Sequence, residues 1–199
     1  MPYLIGLTGT IASGKSTAVK FFKSKGIMVL DADAIARSLT EKDNPVLKAI
    51  ISHFGQRFLT SDGLINRKKL RQYIIEHPDE KKWLEALLHP KIRQCIASQV
   101  QHIRSHYGVI DIPLLTRRED FPYLNHVLLI EIDKALQIER LMIRDNCSTV
   151  EAEQMISLQP DKAIRRALAD DIIQNNGDIT QLQSTLQTLH TRYLTQASI

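Results

Sequence analysis

The chain has 199 residues, of which 43% are hydrophobic and 24% are charged, a composition typical of folded globular proteins. It excludes a disordered chain, and the length allows one sizeable core with smaller inserted regions. The net charge of +4 does not by itself indicate a nucleic-acid-binding protein, because a protein that handles polyphosphates also needs extra lysine and arginine.

The first predicted element is an apolar strand, 3–8, which leads into a segment of the pattern G-x-x-x-x-G-K-[ST] and then into an amphipathic helix. A loop between a strand and a helix turns several backbone N–H groups and the positive end of the helix dipole toward one point, which suits a polyphosphate. We therefore predict a phosphate-binding loop (P-loop) for a nucleoside triphosphate. Lys15 is expected to reach the terminal phosphates, and the Ser16 hydroxyl to bind Mg²⁺. The predicted ATP ligands in this segment are Gly9, Ala12, Ser13, Gly14, Lys15, Ser16 and Thr17.

A second apolar run, 27–30, has the character of a buried parallel strand and is followed by Asp31-Ala32-Asp33. Ligands of open α/β sheets bind outside the carboxyl ends of the strands, so both carboxylates are expected to face the same crevice as the P-loop. Asp33 is predicted to accept a proton from an attacking hydroxyl, with Asp31 assisting. The alternative is that one of the two aspartates only caps the helix that begins near Ala34.

From about residue 35 to residue 100 the pattern is helical, with turn signals at Asn44-Pro45 and at 61–63. Arg37 follows Asp33 by four residues, so on a helix it can pair with that carboxylate or point at a substrate phosphate. The last helix of this region is predicted to be kinked or restarted at His89-Pro90. His89 then either contacts the substrate that accepts the phosphoryl group or only caps a helix end.

The next strand is predicted over 108–115, and Asp111 ends its β-branched part as the Mg²⁺-organising acid of similar strands does. Apolar neighbours on both sides indicate that Asp111 is buried, so it needs a partner such as Lys15, Ser16 or a hydrated metal ion. Asp111 is therefore a second candidate Mg²⁺ ligand.

A strand over 127–132 and a helix over 135–144 follow, and after them comes the capping-box pattern of Ser148 and Glu151. This part of the chain carries a group of cations, which indicates either a solvated helical hairpin or a mobile lid that neutralises the transferring phosphoryl group. The cations are Arg140, Arg144, Lys162, Arg165 and Arg166.

The last strand is predicted over 170–174, before a turn at Asn175-Asn176-Gly177 that is placed to hold adenine, and a closing helix. Five parallel strands that alternate with helices predict an α/β fold, a three-layer P-loop NTPase sandwich with a helical acceptor-binding insertion and a helical lid.

Cysteine usage and the chain's first residues predict the compartment. Cys95 and Cys147 are far apart in helix-like sequence, so we expect free thiols and no disulfide or metal framework. A strand that begins within three residues of the start leaves no room for a signal peptide, and no apolar run approaches a length of about 18 residues. We expect a soluble cytoplasmic protein with no membrane or nucleic-acid partner and an oligomeric state that the sequence does not determine.

Over nearly its full length the chain resembles the bacterial dephospho-CoA kinases. The residues that carry this resemblance are 9–17, Asp31 to Arg37, Leu87 to Pro90, Pro113-Leu114-Leu115, Arg144-Asp145, Gln159, Ala169 to Asp171, and Asn175-Asn176-Gly177.

The resemblance implies transfer of the ATP γ-phosphate to the ribose 3′-hydroxyl of dephospho-CoA, the last step of coenzyme A synthesis, with Mg²⁺ accompanying ATP. It implies a core of about 1–31, 106–134 and 168–199, a CoA-binding region of about 32–105 and a lid of about 135–167. It also implies site roles: Asp33 as base, Arg37 and His89 at the acceptor, Arg140 and Lys162 as lid cations, and Lys15 with Ser16 at ATP and Mg²⁺. Beyond these roles we expect Lys15 and Arg140 to take part in catalysis. We also expect Asn175 and Gly177 at ATP, and Asp31, Leu115 and Lys162 at the acceptor.

The sequence departs from the family pattern in two places. The family usually has glycine at the positions of Thr10 and Ala12, but both replacements are small and neither position is fixed in the motif. After Pro-Leu-Leu the family usually has an apolar residue and then glutamate, where this chain has Thr116 and Arg117. A cation there reverses the local field, unless Glu119 substitutes for the missing acid after a shift of register.

Three other functions compete with this interpretation. The same fold serves nucleoside and nucleotide monophosphate kinases, which differ in the acceptor. A nucleotide-sensing protein without turnover would fit the unusual Arg117, although Lys15, Ser16 and Asp33 argue against it. A nucleic-acid-binding protein depends on the basic isoelectric point alone.

Overall fold

A parallel sheet of five strands forms the centre of the structure, a computed structural model that describes residues 2–113 and 115–198. The order across the sheet is β2-β3-β1-β4-β5, and every neighbouring pair is parallel. The strands are β1 (Tyr3–Gly9), β2 (Met28–Asp31), β3 (Tyr107–Asp111), β4 (His126–Glu131) and β5 (Asp171–Gln174).

Nine α-helices lie in the described ranges. They are α1 (Lys15–Ser24), α2 (Ala32–Ser38), α3 (Pro45–Phe54), α4 (Arg67–Glu76), α5 (Pro78–Val100), α6 (Lys134–Asp145), α7 (Thr149–Ser157), α8 (Lys162–Leu168) and α9 (Ile179–Ala197). The predicted three-layer α/β class is confirmed, with helices on both sides of the sheet. No helix of the described chain is both long and apolar enough to cross a membrane.

The chain divides into two compact units, Met1–Asp31 with Gln99–Ile199, and Ala32–Ser98. In the first unit β1, β3 and β4 are almost entirely buried, as expected for parallel strands that are covered on both faces. Helices α1 and α9 pack against the sheet through Phe22, Leu186 and Tyr193, which are fully buried. The predicted lid, 135–167, corresponds to α6, α7 and all but the last residue of α8, but its separate movement stays a prediction.

The second unit is helical and has its own apolar core, with Ile50, Phe54 and Leu84 among its buried residues. Asn44 caps α3 by accepting a hydrogen bond from the Val46 N–H at 2.9 Å, and Pro45 occupies the first turn, where its missing N–H costs nothing.

One predicted strand boundary was wrong, and one of two predicted alternatives for a helix is excluded. Strand β3 ends at Asp111 and does not extend to Leu115, because Pro113 lacks the N–H that a ladder needs; Leu114 lies outside the described residues. Helix α5 continues through Pro90, so of the two predicted alternatives, a kink or a restart, the restart is excluded and the kink stays a prediction. Proline removes one hydrogen bond from a helix at a cost of about 3 kcal/mol, which packing over 23 residues can offset.

Candidate active site

The P-loop joins β1 to α1, and glycine is required at two of its positions. A Cβ on Gly9 would lie 2.8 Å from the Ile130 carbonyl oxygen, so only glycine lets the loop approach β4 this closely. Gly14 has φ of 96° and would place a Cβ 2.5 Å from the Asn175 side chain. These steric limits account for both fixed glycines of the motif.

Several hydrogen bonds hold the P-loop to the sheet. The Thr10 N–H donates to the Ile130 carbonyl at 3.1 Å, and the buried Asn175 side chain donates to the Ser13 carbonyl at 2.7 Å. Between them Ala12 adopts φ of 60°, a left-handed conformation that a residue with a Cβ rarely takes. Asn175 was predicted to contact ATP, and its observed partner is the loop itself.

Polar residues end four of the five strands at the carboxyl edge of the sheet. Asp31 and Asp111 are paired in register on neighbouring strands, and Glu131 and Gln174 are paired in the same way. The Lys15 ammonium contacts the Asp111 carboxylate at 2.5 Å, and both side chains are largely buried. The expectation that buried Asp111 needs a partner such as Lys15 is met.

Oxygen donors that suit a magnesium ion lie in the first turn of α1 and at the carboxyl edge of the sheet. Ser16 is exposed in that turn, and the Asp31 and Asp111 carboxylates lie at the carboxyl edge of the same sheet. Magnesium prefers oxygen ligands and usually keeps several waters or substrate phosphates. Within the described residues no group of three or more His, Cys, Asp or Glu side chains is placed to hold a metal alone. These donors therefore fit a Mg²⁺ that arrives with nucleotide phosphates.

Glu131 is a candidate site residue that the sequence interpretation missed. It is only 2% exposed, and its Oε2 accepts a hydrogen bond from Arg166 Nε at 2.8 Å. Its second oxygen is buried without a hydrogen-bond partner among the residues described. The signal was present, because Glu131 ends an apolar strand as Asp111 does.

The predicted lid cations have different surroundings. Arg140 donates to the Gly177 carbonyl at 3.1 Å, so it contacts the predicted adenine turn. Arg144 pairs with its neighbour Asp145 at 2.7 Å. Lys162 is exposed in the first turn of α8. Arg166 contacts Glu131 at the end of β4, so within the described part of the chain Arg140 and Arg166 are the members of this group that reach a strand end or the turn that follows β5.

Three of the predicted acceptor or base residues belong to the helical unit. Asp33 and Arg37 are exposed in the first and last turns of α2, which directly continues strand β2. His89 is exposed in the middle of α5, so it caps no helix end. Their roles toward a substrate stay predictions.

The segment after β3 differs from the family pattern. Leu115, a predicted acceptor contact, is 2% exposed. Arg117 and Glu119 are both exposed and lie 3.8 Å apart, so the acid and the unexpected cation face each other in solvent. An exposed pair at this distance contributes little to stability.

The opposite, amino edge of the sheet carries a second charged network. The Asp171 carboxylate contacts Arg192, accepts a hydrogen bond from the Tyr193 hydroxyl at 2.8 Å and lies 2.6 Å from His126 Nε2. Burial alone would raise the pKa of Asp171, but the hydrogen bonds from Arg192, Tyr193 and His126 outweigh it and hold the pKa below 3.8. This network ties β5 to α9 and β4 and has no predicted role in chemistry.

We expect Asp171→Asn to lower the free energy of unfolding at pH 7 by about 1–3 kcal/mol, because a mostly buried set of donors loses its charged acceptor. A carboxyl group with a depressed folded pKa stabilises the fold above its unfolded pKa, and that contribution disappears as pH falls through the folded pKa. The difference in Tm between wild type and variant is therefore expected to shrink as the pH falls below 3.8, the ordinary pKa of an aspartate. Thermal unfolding across pH measures it, with exposed Asp79→Asn as control; a gap independent of pH would contradict the assignment.

The fold and the loop together define the class of the protein. A five-stranded parallel sheet, a P-loop whose lysine contacts an acid at the end of β3, and cations on the following helices are the features of a P-loop kinase.

The chain belongs to the dephospho-CoA kinase family, since the model of that family matches residues 3–181. A dephospho-CoA kinase of Legionella pneumophila (strain Paris) is 41% identical over 199 residues, which cover all of this chain and 99% of the relative. A solved dephospho-CoA kinase from Campylobacter jejuni has a TM-score of 0.72 at 29% identity over 96% of each chain. The solved protein TT1252 from Thermus thermophilus has a TM-score of 0.80 at 27% identity, covering 96% of this chain and 97% of that one.

Proposed function

We propose that this protein transfers the γ-phosphate of ATP to the 3′-hydroxyl of the dephospho-CoA ribose, giving coenzyme A and ADP. The observation that carries the proposal is the P-loop, with Lys15 against Asp111, in a chain that belongs to the dephospho-CoA kinase family. The fold alone does not identify the acceptor, because many P-loop kinases share it. The family match identifies the acceptor.

The P-loop and the start of α1 bind the ATP phosphates in this proposal. Backbone N–H groups of the loop and the positive end of α1 face the phosphates, and Lys15 neutralises the charge on the group that moves. Ser16 and Asp111 would hold Mg²⁺, with Asp31 beside them, and the ion would supply neutralisation of the negative charge on the nucleotide phosphates. Arg140 completes the ATP side because it already contacts the turn at Gly177.

Asp33 acts on the acceptor in this proposal. It accepts the proton of the 3′-hydroxyl while the new oxygen–phosphorus bond forms and the bond to the ADP oxygen breaks. Its place in the first turn of α2, two residues after β2 ends, supports this role. Arg37, His89 and Lys162 bind the phosphates of dephospho-CoA, because each is exposed and carries N–H donors for phosphate oxygens. Leu115 contributes an apolar contact on the acceptor side.

We place this reaction in the cytoplasm. Cys95 and Cys147 are both free thiols, as expected in a reducing compartment.

Measurement of ADP release in the presence of MgATP and a panel of acceptors tests the proposed function. Dephospho-CoA is expected to stimulate ADP release strongly, while AMP, dTMP and shikimate are expected to leave it at the background rate. The product with dephospho-CoA should be coenzyme A, detected by mass. Stimulation by another acceptor and not by dephospho-CoA would replace the proposal, and stimulation by none would support a nucleotide-sensing role.

A further inference from the structure

The peptide group of Ile11, in the P-loop, is held on both sides by glutamine side chains. The Ile11 N–H donates to Gln159 Oε1 at 3.1 Å, and Gln137 Nε2 donates to the Ile11 carbonyl at 2.8 Å. Gln137 Nε2 also lies 3.4 Å from Gln159 Oε1, which closes the set. We call these two side chains and the Ile11 peptide the glutamine clamp.

The chemistry of the backbone determines the orientation of both amides. A backbone N–H only donates and a backbone carbonyl only accepts, so Gln159 must present oxygen to Ile11 and Gln137 must present nitrogen. Gln159 therefore acts as a hydrogen-bond acceptor toward Ile11, and Gln137 acts as a hydrogen-bond donor. Gln137 is 4% exposed, so its amide group has little access to water as an alternative partner.

The clamp holds a part of the P-loop that has an unfavourable backbone conformation. Ile11 directly precedes Ala12, whose φ is 60°, a conformation that persists only where the surroundings impose it. Thr10 is fixed by Ile130 on one side of the clamp and Ser13 by Asn175 on the other. The clamp therefore supplies the constraint on the peptide between these two anchors.

The two glutamines come from different parts of the chain. Gln137 lies in α6, immediately after β4, and Gln159 lies in the short connection between α7 and α8. Both positions belong to the predicted lid, 135–167. Hydrogen bonds therefore connect the P-loop to the same segment that carries Lys162, Arg165 and Arg166.

We propose that Gln137 and Gln159 are positioning residues that hold the P-loop in its ATP-binding shape by clamping the Ile11 peptide. This inference rests on the proposed function only in that the ligand of the loop is ATP. It requires no particular acceptor, because the effect falls on nucleotide binding and precedes transfer. Because both side chains belong to the predicted lid, they make the conformation of the P-loop depend on the position of that segment.

Methionine variants test whether the clamp affects ATP affinity, since methionine keeps the length of glutamine and removes its hydrogen bonds. We expect Gln137→Met and Gln159→Met each to raise the Kd for MgATP about tenfold, measured by calorimetry without acceptor. We expect the Kd of the double variant to be no higher than that of the worse single variant, because both glutamines act on the same peptide group. The kcat at saturating ATP is expected to stay within about twofold of wild type.

Glutamate variants test the orientation of the amides. Gln159→Glu keeps an acceptor for the Ile11 N–H and for Gln137, so the Tm of the nucleotide-free protein should stay near that of wild type. Gln137→Glu places an acceptor against the Ile11 carbonyl, so that variant should have a clearly lower Tm. Absence of nucleotide keeps repulsion between the new carboxylate and phosphate out of the measurement.

Gln154→Met, at an exposed position of α7, is the matched control and should leave both Kd and Tm unchanged. Circular dichroism confirms folding, and Gln159→Met is the safer variant because Gln159 is only partly buried. A wild-type Kd in the folded Gln159→Met variant would overturn the proposal. Equal Tm changes in the two glutamate variants would also overturn it. If dephospho-CoA proved not to be the acceptor, the Kd and Tm results would still decide the inference.

Discussion

Replacement of Asp33 by asparagine is expected to lower kcat by ~10²–10⁴-fold, the usual contribution of a positioned general base. Asparagine has nearly the same size and occupies the same exposed position in α2, but its amide cannot accept the proton of the 3′-hydroxyl. The KM for ATP is expected to change by no more than about twofold, because Asp33 acts on the nucleophile and not on the nucleotide. Steady-state kinetics with dephospho-CoA and MgATP measure both values.

The control for this experiment is Asp79→Asn, in the first turn of α5, where the aspartate side chain is 96% exposed. It removes the same charge from the same helical unit and is expected to leave kcat unchanged. An Asp33→Asn variant with wild-type kcat would remove Asp33 from the chemistry. Asp31, at the end of β2, would then be the next candidate for the base.

Replacement of Lys15 by methionine is expected to lower kcat/KM for ATP by ~10²–10³-fold, because a preorganised cation at the transferring phosphoryl group is lost. The same change removes the cation beside Asp111, whose side chain is 10% exposed, so a lower Tm is also expected. Kinetics and thermal unfolding of one preparation give both results.

A double variant separates the two effects. Lys15→Met with Asp111→Asn removes the buried charge together with its partner, so Tm is expected to recover in part while activity stays low. Lys20→Met, at an exposed position on the same helix, is the control for loss of a cation from α1. Full activity in Lys15→Met would show that the loop does not act as the motif predicts. Recovery of activity in the double variant would show that the effect of Lys15 is structural.

Local sequence patterns predicted most of the architecture correctly. The P-loop requires glycines at fixed spacing for steric reasons, and those reasons are seen at Gly9 and Gly14. The strands were visible as continuous apolar runs because a parallel sheet covered on both faces buries nearly every side chain. The capping box at Ser148 and Glu151 was also predicted and is confirmed. Each of these features depends on residues that are near one another in the sequence.

The wrong strand end and the excluded helix restart both lie at prolines, where competing local effects have similar energies. Pro113 ends β3 although the apolar pattern continues beyond Asp111, because a missing N–H outweighs favourable side chains at a strand end. Pro90 does not end α5, because the packing of a long helix outweighs one lost hydrogen bond. Sequence patterns identify both prolines, but the outcome depends on the burial of the neighbouring turns.

By itself the sequence determined the α/β class, the triphosphate-binding loop and, through its motifs, the family, because these depend on short-range spacing that is strongly constrained. Tertiary structure alone decided which distant groups meet. It selected Lys15 from the three predicted partners of Asp111, buried Glu131 against Arg166, and placed Gln137 and Gln159 on either side of the Ile11 peptide. A glutamine in a helix or a loop carries no local signal of its partner, since its hydrogen bonds form only after strands and helices pack. Contacts between residues more than 100 positions apart, such as Gln137 with Ile11, therefore appear only in the folded chain.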